Sequence, residues 1–150
     1  MKLAPYFTTI WVTTEFSGLH RYPEAPEEVA WLRYPHRHLF KVRVELHVSN
    51  DNRDQEFFIV QGVLDHYVKE KLSVQSTDET CPTTSCETMA QRIAQYMLGN
   101  AYNVRSVEVS EDGENGAKVH MLGTLHTARE LTYRDASAQS TAVVSADVDK

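Results

Sequence analysis

Two sets of apolar residues share even-numbered positions: Ile10, Val12 and Phe16, then Val42, Val44, Leu46 and Val48. A period of two marks a strand with one face on a core and the other in water. It predicts a first strand from about Phe7 to His20 and a second from about His36 to Val48. Between them, Pro23 and Pro26 stand among the carboxylates Glu24, Glu27 and Glu28. That stretch, Arg21 to Arg33, reads as a loop bringing the end of the first strand back beside the second.

The period then changes. After the polar turn at Ser49 to Asp54, Phe57, Val60, Leu64, Tyr67, Val68 and Leu72 fit helical spacing, so a helix is expected from about Ile59 to Leu72. Gly62 weakens it by about 1 kcal/mol relative to alanine. Ser73 to Ser85 is polar and holds Pro82, as a loop would. Thr84 and Glu87 have capping-box spacing, the stripe Met89, Ala90, Ile93, Ala94 and Met97 follows, and Gly99-Asn100 supplies a stop. Phe57, Phe58, Tyr67, Met89 and Met97 are assigned to the core. A hairpin is expected last, with Val107, Val109 and Glu111 on one parity, a turn at Gly113 to Gly116, and Ala117, Val119 and Met121 beyond.

The order ββααββ predicts an α+β fold, a four-stranded antiparallel sheet with both helices on one face. One domain would span residues 1–134. Residues 135–150 lose all periodicity and read as a tail, mobile or held by a partner. Open edges on such a sheet favour association between copies.

Composition adds limits. At 150 residues and 41% hydrophobic content, the chain supports one core. No apolar run approaches the roughly 20 residues that span a bilayer, and the first residues lack the pattern of a signal peptide, so a cytoplasmic location is expected. A net charge of −6 argues against nucleic-acid binding. The basic row Arg37, Lys41 and Arg43 has odd parity and reads as a solvated strand face. Cys81 and Cys86 stand in C-x4-C spacing in a polar stretch and read as free thiols.

Chemistry concentrates on the histidines. His36 and His38 share the parity of the apolar residues that follow, so both imidazoles point inward beside a core. Inward imidazoles need partners: a satisfied core histidine is one reading, a metal the other. His20, on the matching parity at the end of the first strand, would complete the three-nitrogen set that leaves zinc an open position. Glu111 stands where an inward apolar residue is expected. It either reaches water beside the turn or accepts two N–H bonds from the edge of a heterocycle. His47 has odd parity and should face away from the core, and neither His120 nor His126 belongs to a constellation.

Phe16-Ser17-Gly18-Leu19-His20 and His36-Arg37-His38-Leu39-Phe40-Lys41-Val42 resemble the F-S-A-x-H and H-G-H-x-Y-x-V motifs of the 6-pyruvoyl-tetrahydropterin synthase and 6-carboxytetrahydropterin synthase family. Thr83-Thr84-Ser85-Cys86-Glu87 resembles its N-P-T-S-E helix start, and Val107 to Glu111 its strand ending in a pterin-anchoring glutamate. The similarity covers roughly residues 7 to 125. It implies the tunnelling fold, in which three subunits join sheets into a barrel and two rings stack as a hexamer. It implies Zn2+ held by His20, His36 and His38, Glu111 and Glu87 as substrate-binding residues, and a pterin or other purine-derived small molecule as partner. The implied activity is that of a lyase acting on dihydroneopterin triphosphate or a related purine-derived substrate, as in pterin or queuosine biosynthesis.

The chain also departs from the pattern. The central glycine of H-G-H is Arg37. The position of the family's cysteine base is Leu32, and its Asp-His pair falls at Lys71-Leu72. Asp65-His66 spells that dipeptide inside the first predicted helix and is a candidate catalytic pair, against an exposed helix histidine. Cys86 is a candidate replacement thiolate, because a helix N-terminus lowers a thiol pKa; the alternative is a small residue at a capped helix. Two functions follow: a zinc-dependent lyase of this type, or a non-catalytic protein that keeps the metal and the ring anchor for binding or as an oligomeric scaffold.

Overall fold

The computed structural model describes residues 6–122. The tail, most of the link to it, and His126 lie outside the described residues. Within them the order is β1 (Thr9–His20), β2 (His36–His47), α1 (Phe57–Lys71), α2 (Cys86–Gly99), β3 (Val104–Glu111) and β4 (Asn115–His120), with a short 3-10 segment Glu27–Arg33 between β1 and β2. The four strands form one antiparallel sheet in the order β1-β2-β3-β4. The α+β architecture read from the periodicities is present.

Parity does what alternation predicts. Val12, Phe16, Phe40, Val42, Val44 and Leu46 are buried and meet Val60, Leu64 and Val68 of α1 and Met89, Ile93 and Met97 of α2. Both helices therefore cover one face: α1 packs on β1, and α2 on β3 and β4. On the other face the basic row is partly solvated, as expected, although Arg43 is also drawn over the Trp11 ring, 4.5 Å from its centroid, and toward Glu45 at 3.4 Å. The register of β2 against β3 slips by one residue at Glu45/Leu46, where Arg105 is the extra residue.

Several local expectations change. Phe57 and Phe58 are exposed, at 54% and 80%, and do not belong to the core. The stripe Val60, Leu64, Val68 fixes the phase of α1, and Phe58 lies about 200° away from Val60 at 100° per residue. Phe57, in the first turn, is only partly covered. Tyr67 instead stacks on Tyr96 of α2, ring centroids 4.3 Å apart, and Met89 and Met97 are buried as assigned. The cap of α2 is Ser85, whose hydroxyl accepts from the backbone N–H of Thr88; the Thr84–Glu87 box is not formed. His47 is buried rather than solvated, because Phe7 covers it at 5.4 Å on the outer face.

The loop before β2 is partly helical. The Arg33 side chain ties the 3-10 segment together by donating to the Ala25 carbonyl at 2.9 Å and to Glu27 at 3.0 Å. The hairpin turn sits two residues earlier than expected, at Glu111 to Glu114, closed by Glu114 N–H donating to Glu111 O at 3.0 Å. Its central pair is Asp112-Gly113, at φ 55° and 78°, the two left-handed positions of a type I′ turn. Gly116 then packs so closely on β3 that a Cβ there would come within 2.3 Å of the Val109 carbonyl oxygen.

The β1 edge is only half open. After α1 the chain runs beside it: Leu19 N–H donates to Val74 O at 2.8 Å, Arg21 N–H to Pro82 O at 2.9 Å, and Ser73 and Gln75 donate to Ser17 O. This run carries Thr83 and Thr84 to the end of β1. That is where the site lies.

Candidate metal centre

Antiparallel register assembles the three histidines. His20 ends β1, His36 opens β2, and the two are direct cross-strand partners, while His38 stands opposite Gly18. Ring centroids are 4.6 Å apart for His20–His36 and 5.2 Å for each of the other two pairs. One nitrogen from each ring lies within 4.8 Å of the others. Phe40 forms the floor, its ring edge-on to His20 at 5.3 Å and stacked on Phe16 at 5.1 Å. Gly18 fits because a Cβ there would already press on Phe40 at 3.3 Å.

Each imidazole is oriented by an acceptor at Nδ1. His20 faces the Thr84 carbonyl at 3.1 Å, His36 the Tyr34 carbonyl at 2.8 Å, and His38 the Asp112 carboxylate at 2.6 Å. A carbonyl cannot donate, so the ring proton of His20 and of His36 sits on Nδ1 and the lone pair on Nε2. Nε2 of His20 and Nε2 of His38 are buried with no hydrogen-bonding partner. Orphaned buried nitrogens are costly unless something fills the space between them. Three imidazoles with their Nδ1 atoms held by carbonyl or carboxylate are a donor set and surround that suit zinc. Burial, the largest influence, pushes the His20 pKa below its ordinary value, which keeps the ring in the neutral, ligating form.

Asp112 was not anticipated. It sits in the positive-φ turn after β3 and clasps β2 twice, through His38 and through the Leu39 backbone N–H at 2.9 Å. Those two hydrogen bonds hold its carboxyl below the usual range. The signal that could have found it is the Asp-Gly pair, the strongest short hairpin mark in a sequence.

The cleft beside the triad, about 550 Å³, is lined by His20, His36, Cys86, Glu87, Glu111 and Leu32, among others. Glu111 faces the imidazoles, with one oxygen 3.3 Å from His20 Nε2. Glu87 is exposed on the first turn of α2, where its own backbone N–H and the Ser85 hydroxyl hold its carboxyl below the usual range. Leu32 puts an apolar wall where the resemblance expected a base.

Cys86 is brought to the cleft, its sulfur 3.8 Å from Glu111 Oε1, but its acidity runs opposite to expectation. Burial, with the Glu111 and Glu87 carboxylates, pushes the thiol up to about 12. The helix N-terminus, worth about 1 kcal/mol or less at most sites, is outweighed. At pH 8 on the order of one thiol in ten thousand is then ionised. Cys86 in the native chain is expected to resist iodoacetamide at pH 8 and to label at the ordinary rate once unfolded, read by peptide mass mapping. Fast native labelling would contradict this environment.

Asp65 and His66 are not at the site of their own chain. Asp65 accepts from the Thr14 hydroxyl, and His66 is exposed on α1. Thr14 lies four residues along β1 from Gly18, about 13 Å at strand rise. Cys81 is buried and free in the loop before α2.

Among the described residues, no helix is long and apolar enough to cross a membrane. Neither a family model nor a curated protein matches the sequence. Solved structures do. The uncharacterized protein WS1659 from Wolinella succinogenes is 14% identical with a TM-score of 0.54, covering 79% of this chain and all of that one. The 6-pyruvoyl tetrahydropterin synthase of Caenorhabditis elegans is 12% identical with a TM-score of 0.56, covering 81% of this chain and all of that one. At these identities the likeness is one of architecture, and with it the chain has the fold of a 6-pyruvoyl tetrahydropterin synthase.

Proposed function

We propose that this chain is a zinc-dependent lyase of the 6-pyruvoyl- or 6-carboxytetrahydropterin synthase type, acting on dihydroneopterin triphosphate or a related purine-derived substrate. The observation that carries the reading is the triad: three imidazoles converging at one end of a synthase-like sheet, with the Nε2 atoms of His20 and His38 buried and orphaned and His20 lining a cleft. Zinc bound there would polarise substrate hydroxyls and lower their pKa. The chain's own residues would do the rest. Glu111 would accept N–H bonds from the ring edge, Glu87 would line the cleft at the helix N-terminus, and Asp112, Thr84 and Tyr34 would hold the imidazoles in place.

The half-open β1 edge and β4 edge support closure into the oligomeric barrel of the tunnelling fold, a trimer or a stacked hexamer. The proton-moving group is the weak link. Cys86 is present but strongly un-ionised, and Asp65 or His66 would have to be supplied by a neighbouring copy.

Those same observations favour a second reading, a zinc-containing binding protein for a pterin, deazaguanine or nucleotide without turnover. Incubating the zinc-loaded chain with dihydroneopterin triphosphate and measuring inorganic triphosphate distinguishes them. Release above a metal-stripped control supports the lyase. Tight binding of the substrate with no release leaves the binding protein.

A further inference from the structure

The Glu111 carboxylate stands nearer the imidazoles than a ring anchor requires. Its Oε1 is 3.3 Å from His20 Nε2, and its Oε2 is 3.7 Å from His38 Nε2. Neither approach has the geometry of a hydrogen bond, since both nitrogens are buried without such a partner. The ring proton of His20 is already committed to the Thr84 carbonyl, so its Nε2 presents a lone pair toward the cleft. A lone pair and a carboxylate oxygen repel at this separation unless a cation lies between them.

The Oε1 distance to His20 is that of two ligands on one ion. With metal–donor bonds of about 2.0–2.2 Å in a tetrahedron, neighbouring donor atoms stand about 3.3–3.6 Å apart. The Oε1 contact to His20 falls inside that range; the contact to His38, made by the other oxygen, Oε2, lies just outside it. The carboxylate thus occupies the side of the triad where a fourth donor belongs. Glu111 is the last residue of β3, opposite Phe40 of β2, so the sheet itself aims it at the histidines.

We propose that Glu111 is a fourth protein ligand in the substrate-free protein, closing a His20–His36–His38–Glu111 set. A three-histidine centre of this kind would otherwise keep an open position for water or substrate. Here an incoming substrate must displace the carboxylate, and the displaced Glu111 becomes free to take the ring edge. The inference rests on the metal reading above and adds a resting state that excludes water from the ion.

Cobalt(II) alone, added to the full chain, tests it without substrate. Glu111→Gln is expected to change the visible d–d spectrum and to weaken metal affinity in chelator competition by about tenfold or more. Glu114→Gln, an equal charge change in the exposed turn, should leave both unchanged. An unaltered spectrum in Glu111→Gln overturns the proposal even if affinity falls, because a nearby charge lowers affinity without being a ligand. Should that variant not fold, a crystal structure of the unaltered chain with zinc decides. A Glu111 oxygen within about 2.2 Å of the ion supports the proposal, and a water in that place overturns it. Failure of the unaltered chain to bind cobalt or zinc at all overturns this inference and the metal reading together. A bound ion with Glu111 remote overturns only the inference.

Discussion

His36→Ala is expected to cost the protein its zinc while leaving it folded. Of the three ligand candidates His36 is less enclosed than His20, which is 8% exposed and packed on Phe40. Its ring proton goes to the Tyr34 carbonyl two residues away, a contact whose loss disturbs no other element. Removing an outer partner of a metal ligand typically lowers affinity 10- to 100-fold, so removing the ligand itself should exceed about a hundredfold. Metal analysis after dialysis against a weak chelator, with circular dichroism to verify folding, reads both parts. A variant that keeps stoichiometric zinc at unchanged affinity would sink the metal centre and both functional readings built on it.

Phe40→Ala carries the second large effect, and it couples core to site. The ring is 1% exposed, stacks on Phe16, and forms the surface beneath His20 and His38 at 5.3 and 5.8 Å. Phenylalanine-to-alanine changes in a core cost about 3–5 kcal/mol through lost transfer energy and the cavity left behind. Against a total of about 5–15 kcal/mol for a domain, that is a large fraction. Urea unfolding should show the midpoint fall by a corresponding amount, with Phe40→Leu recovering most of it. Zinc affinity of the folded fraction should fall as well, because His20 and His38 lose the wall that fixes their rotamers. A loss below about 1 kcal/mol would mean the site is not built on this packing.

How much of this was legible along the chain differs by element. The strands were, because burial on one face of a sheet imposes a period of two, and Val12, Phe16, Val42 and Val44 keep it. The helices were legible in their buried stripes but not in their first turns. Phe57 and Phe58 are apolar by type and exposed by phase, and phase is decided by which stripe meets the sheet. The cap of α2 moved from Thr84 to Ser85 for a similar reason. Two neighbouring hydroxyl residues offer the same chemistry, and only the path of the backbone chooses between them.

The site divides in the same way. His36 and His38 could be placed on one inward face from their spacing, and His20 joined them through parity. Cys86 shows the limit of local reasoning. A helix N-terminus argues for an acidic thiol, yet the chain brings Glu111 from 25 residues away and buries the sulfur against it.

By itself, then, the sequence determined the alternation that makes the sheet, the stripes that seat two helices on one face, and the inward aim of three imidazoles. These are short-range consequences of side-chain period and polarity. Only the tertiary structure decided what surrounds those imidazoles. The Thr84 and Tyr34 carbonyls that hold two of them are backbone groups, which every residue carries and no sequence distinguishes. Asp112 reaches His38 only when the β3–β4 turn folds back across the sheet. Glu111 confronts two Nε2 atoms only in the observed register. Distances between residues far apart in the chain set the charge, the acidity and the coordination of this centre.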